Sequence, residues 1–157
     1  MKEFLIAVNV SLLLLIASIS TKKTLNILEN SFLYLVLVFF VTGYTAVYYI
    51  NLKLWSVADD PQLFLILRLY EVVMIPVLCL WYFNLLEVCK SWGSKGVLTT
   101  FMTGILGMVQ LVMTNWGVIQ YKNWQFWQSI VTFLVLLLVV RMLHVWFQSK
   151  LLKEGIK

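Results

Sequence analysis

The chain of 157 residues is 62% hydrophobic, 15% aromatic and only 12% charged. Soluble domains are nearer half apolar and a quarter charged, so this composition excludes an ordinary soluble domain and points to an all-α integral membrane protein. The net charge of +5 does not signal nucleic acid, because the lysines gather in short links beside apolar runs and form no basic stripe.

A bilayer core of about 30 Å takes roughly 20 apolar residues in a helix. Five runs of this kind predict one membrane domain over 1–157, a bundle of five transmembrane helices. The first run, 4–20, follows Lys2 and ends on Ser18 and Ser20, small residues of the sort found at a signal-peptide cleavage site. Lys22 and Lys23 follow at once, and the run reads as a retained helix. A polar link, 21–30, leads to the second run, 32–54. The next link carries Asp59, Asp60 and Pro61, a residue that starts helices.

The third run, 62–88, is QLFLILRLYEVVMIPVLCLWYFNLLEV. It carries Arg68 and Glu71 inside an apolar stretch, where a lone charge costs roughly 2.5–3.5 kcal/mol by insertion scales. Three residues apart, the two share a helix face and can pair. The pair is expected to face protein or a polar cavity, or Arg68 to snorkel towards the interface. Pro76 removes a backbone donor and predicts a kink. Glycine and serine in KSWGSKG mark a turn over 90–96, ahead of the fourth run, 97–116. A polar, aromatic link over 117–125 precedes the fifth run, 126–147, and a basic tail.

Five spans put the chain ends on opposite sides. With the amino terminus outside, the inner side holds Lys22, Lys23, Lys90, Lys95, Lys150, Lys153 and Lys157, against Lys2, Lys53 and Lys122 outside. The positive-inside rule favours that orientation in a plasma membrane. Trp55, Trp116, Trp124 and Trp127 then fall near the outer interface, Trp92 and Trp146 near the inner one, and Trp81 mid-helix. Arg141 and His144 fall in the last turns of the fifth run, where snorkelling and the helix dipole suit them.

Depth follows from a rise of about 1.5 Å per residue. Asn9, Arg68, Glu71 and Tyr48 fall in the outer half, Tyr44 near the middle, Gln110 in the middle or outer half, and Thr114 and Asn115 at the outer edge, so they share one depth band. One reading is interhelical glue. The other is a cavity for a small or lipid-like ligand, with Arg68 meeting an anionic group, Glu71 orienting Arg68, and Tyr44, Tyr48, Gln110 and Asn115 contributing to the site. Thr100, Thr103, Gly104 and Gly107, like Gly43 and Ala46, read as small residues for close helix packing. Cys79 and Cys89 stand about 15 Å apart along one helix, too far for a mutual disulfide. His144 is the only histidine, and no cysteine or histidine spacing suits a metal, so neither metal nor cofactor is expected.

The segment RLYEVVMIPVLCLWYF, with LVMTNWGVIQYKNW after it, resembles the seven-helix amino-terminal membrane sensor region of some bacterial histidine kinases. Arg68, Tyr70, Glu71, Pro76, Thr114 and Asn115 are the matching positions, over the middle half of the chain. The chain departs from that pattern in having five predicted helices and no kinase or cyclase segment after them. The resemblance implies a stand-alone or truncated sensor-like module, bacterial, with its amino terminus outside, that signals through a partner.

Together these readings predict a non-enzymatic regulatory or accessory membrane module that binds a ligand, a membrane protein partner or a second copy of itself. The alternative is a subunit of a transporter or channel, since intramembrane charges mark ion paths. A lipid-acting enzyme would need a nucleophile, base or metal set, and His144 stands alone.

Overall fold

The computed structural model describes residues 1–57 and 59–154; Lys157, counted above among the inner lysines, lies outside them. Five helices long and apolar enough to span a bilayer form α1 (Lys2–Ser20), α2 (Ile27–Asn51), α3 (Pro61–Val88), α4 (Trp92–Asn115) and α5 (Phe126–Lys153).

Capping explains where these helices differ from the apolar runs. Asn26 accepts from the Glu29 amide at 2.8 Å, and Glu29 Oε2 accepts from the Asn26 amide at 2.9 Å. That reciprocal cap starts α2 at Ile27, so the last four residues of the expected link are helix. Ser91 accepts from the Ser94 amide at 3.1 Å and starts α4 at Trp92, inside the expected turn. Asp60 caps α3 through the Gln62 amide at 2.7 Å, with Pro61 in the first turn. α5 runs on to Lys153 rather than stopping at 147.

α2, α3, α4 and α5 pack in sequence, and α5 closes back on α2. α1 lies outside this ring and packs along α3, presenting Ala7, Ser11 and Ser18. Small residues let two helices approach closely. α3 is the centre: 56% of its most apolar window is buried, against 11% for α1. Leucine, isoleucine, valine and phenylalanine side chains lie exposed on the outer faces, while Glu29, Glu71, Gln110, Ser129 and His144 are buried. Hydrocarbon favours that inverted distribution and water does not.

The links at the amino-terminal end are not loops alone. Strand β1 (Trp55–Val57) pairs antiparallel with β2 (Ile119–Tyr121), Trp55 opposite Tyr121. The ribbon modifies the purely helical architecture expected from the sequence. Gly117, at φ 72°, ends α4 and turns the chain into β2. Its amide bonds Thr114 O and that of Val118 bonds Met113 O, each at 3.0 Å, the pairing of a left-handed helix cap. Trp55 is buried beneath the ribbon, with Tyr44, Tyr48, Tyr121 and Trp124 within 6.1 Å of its ring centre.

Of the small residues, Thr103 and Gly107 are buried, and a side chain at Gly107 would meet Ile130 and Phe126 of α5. Thr100, Gly104, Gly43 and Ala46 are exposed and do not form the expected contacts.

Candidate functional site

The expected pair in α3 is formed. Arg68 Nη1 donates to Glu71 Oε2 at 2.6 Å, but the partners differ in setting: the Glu71 side chain is 1% exposed and that of Arg68 51%. Arg68 therefore does not face the protein interior. Its guanidinium lies on the outer flank over the Phe64 ring, 4.8 Å from the centroid, where charge meets the ring face.

The backbone explains how one helix turn can hold a buried and an exposed partner. Residues Tyr70–Met74 form a π-helical turn, and regular α-helix resumes at Ile75. Such wide turns recur at functional sites. Pro76 lies just after this irregular turn, in the first turn of the resumed α-helix. A regular helix would have residue 76 donate to Val72 O, and proline has no amide. Tyr34 of α2 donates its hydroxyl to that carbonyl instead, at 3.0 Å.

Tyr70 points inward and donates to Gln110 Oε1 of α4 at 2.5 Å. Gln110 is fully buried and, among the described residues, its Nε2 has no partner; the Tyr44 hydroxyl is likewise buried and unpartnered among them. Glu71, Tyr70, Gln110 and Tyr44 are thus polar groups inside the bundle, in the part nearer the β1–β2 ribbon. The others expected there are elsewhere. Tyr48 belongs to the aromatic cluster under the ribbon, its ring 4.5 Å from Trp124. Asn115 is exposed in the last turn of α4. Thr114 bonds Gln110 O in its own helix, and Asn9 is exposed and bonds Leu5 O. A crevice of about 180 Å³ adjoins Tyr44 between α2 and α5; neither Gln110 nor Glu71 lines it.

A second polar cluster occupies the opposite end, and the sequence reading missed it. Arg141 of α5 donates to Glu87 of α3 at 2.5 Å and approaches His144 Nδ1 at 3.2 Å. His144 Nε2 stands 3.7 Å from Glu29 Oε1. His144 is fully buried, so it does not snorkel, and Arg141 has a partner on α3 in Glu87. Asn84 of α3 donates to Asn30 Oδ1 of α2 at 2.8 Å, and its own oxygen accepts from the Thr24 and Leu25 amides. The capping pattern from Asn26 to Glu29 was the available signal: it moves Glu29 and Asn30 from a link into the first turn of α2.

No family matches the chain, and no curated protein or solved structure matches it either.

Proposed function

We propose that this protein is a non-enzymatic, sensor-like regulatory or accessory module of a bacterial plasma membrane, with its amino terminus outside. The observation that carries this reading is the π turn at Tyr70–Met74. It sits in the most buried helix, just after the exposed cation Arg68, and contains the buried carboxylate of Glu71.

In this reading α3 is a two-state element. An anionic group of a ligand or membrane partner engages Arg68 from the exposed flank and draws it from Glu71. The wide turn then changes register, and Tyr70 carries the change to Gln110. A π turn holds one more residue than an α turn, so moving it rotates the residues it passes. The tie between Tyr34 and Val72 O keeps a hydrogen bond at the irregular turn in the resting form. The excess of lysines at the carboxyl-terminal end supports the orientation.

The test is a mild-detergent pull-down of the tagged protein from its native membrane, with mass spectrometry of the captured proteins. A stoichiometric membrane partner that Arg68→Ala loses and Lys122→Ala keeps is the expected result. Capture of no partner, with ion flux through proteoliposomes of the purified protein, would instead make the chain a transporter or channel subunit.

A further inference from the structure

The geometry points to a binding site for one anionic phospholipid at the carboxyl-terminal end of the bundle, between α1 and α2. Both helices lean on α3 and part from each other, leaving a crevice of about 410 Å³. Leu15 of α1, Ile27 and Leu35 of α2, and Val77 and Leu80 of α3 give it apolar walls that suit an acyl chain.

The link between α1 and α2 carries Lys22 and Lys23. Lys23 lines the crevice, and both lysines line a small pocket that shares Ser18, Asn30 and Leu80 with it. Both are exposed, and among the described residues neither forms an ion pair. Asn84 holds the link in place through the Thr24 and Leu25 amides, at 3.0 and 3.1 Å, so the lysines stand on a fixed rim. Trp81 lines the small pocket beside both lysines, and its buried Nε1 has no hydrogen-bond partner among the described residues. Cations above an apolar interhelical groove suit an anionic headgroup. The lysine-rich end is the one the positive-inside rule assigns to the cytoplasm, whose leaflet carries anionic lipid.

The full-length protein is reconstituted into vesicles of equal phosphatidylglycerol and phosphatidylcholine, re-extracted in limiting detergent, and its retained lipids are counted by mass spectrometry. One phosphatidylglycerol per protein, enriched over phosphatidylcholine, is expected. The double variant Lys22→Gln/Lys23→Gln should lose enrichment by roughly fivefold per lysine removed. Ser31→Trp, which fills the crevice and leaves the lysines in place, should lose it as well. Lys90→Gln/Lys95→Gln removes the same charge from the same end and should keep it. Equal retention of the two lipids overturns the site. Enrichment that survives the crevice-filling variant, or that falls equally with Lys90 and Lys95, reduces the effect to surface charge and overturns it too.

Discussion

Tyr34 hydrogen-bonds the carbonyl of Val72 at 3.0 Å, in the turn where Pro76 supplies no amide. Two helices thereby share the repair of one backbone defect. Tyr34→Phe should leave the carbonyl unpartnered at a cost of about 1–3 kcal/mol. For a chain of this size each 1 kcal/mol shifts the melting midpoint by about 2–4 °C. Pro76→Ala returns an amide to the turn, so Tyr34→Phe should cost clearly less in that background. Thermal unfolding of the four proteins in one detergent measures the coupling. Additive costs would show that the hydroxyl is not compensating for the proline.

Arg68 and Glu71 make an asymmetric pair, and the asymmetry decides which substitution hurts. Arg68→Ala leaves a carboxylate in a site that is 1% exposed. Glu71→Gln leaves a half-exposed guanidinium that can turn to the interface. The arginine variant should therefore be the less stable, by about 1–3 kcal/mol, and adding Glu71→Gln should restore most of the loss. Detergent melting curves decide it. If the second substitution does not rescue, the carboxylate is not what Arg68 compensates.

Tyr70 and Gln110 bond each other inside the bundle, and removing either strands the other. Tyr70→Phe and Gln110→Leu should each cost about 1–3 kcal/mol, while replacing both partners by apolar groups approaches neutrality. A stable double variant is also the cleaner functional probe. If the pair transmits a change in α3, that variant should keep its fold and lose partner capture. If it keeps the partner, the pair is only packing.

The sequence made the helices legible because length and apolarity suffice to find them. It also made the Arg68–Glu71 pair legible, because residues three apart share a helix face. What it could not show was direction. Depth placed Asn115 and Asn9 with Gln110, but helix rotation turns the first two to the surface. Gly104 and Gly107 stand three apart, and only Gly107 faces α5. The pairing of β1 with β2 joins links 64 residues apart and left no local pattern to read. The second polar cluster was hidden by a boundary. Ending α5 at 147 placed His144 in the last turn, whereas the helix continues to Lys153, nine residues and about 14 Å further.

That cluster yields its own prediction, because the two oxygens of Glu29 have separate tasks. Oε2 accepts the Asn26 amide and Oε1 faces His144 Nε2 at 3.7 Å. Arginine only donates, so its approach to Nδ1 at 3.2 Å requires that nitrogen to accept. A neutral His144 then carries its proton on Nε2, towards Glu29. Glu29→Gln keeps an oxygen for the cap and removes the charge opposite the ring. Glu29→Ala removes both and should lose the cap as well, about 0.5–2 kcal/mol. In a His144→Phe background, which retains a ring against Phe83, the effect of Glu29→Gln should vanish and the cost of Glu29→Ala should fall to the cap alone. Melting midpoints of these six proteins test the division. If Glu29→Gln costs the same with and without the imidazole, Glu29 acts only as a cap, and the contact across α2 and α5 is packing without electrostatic coupling.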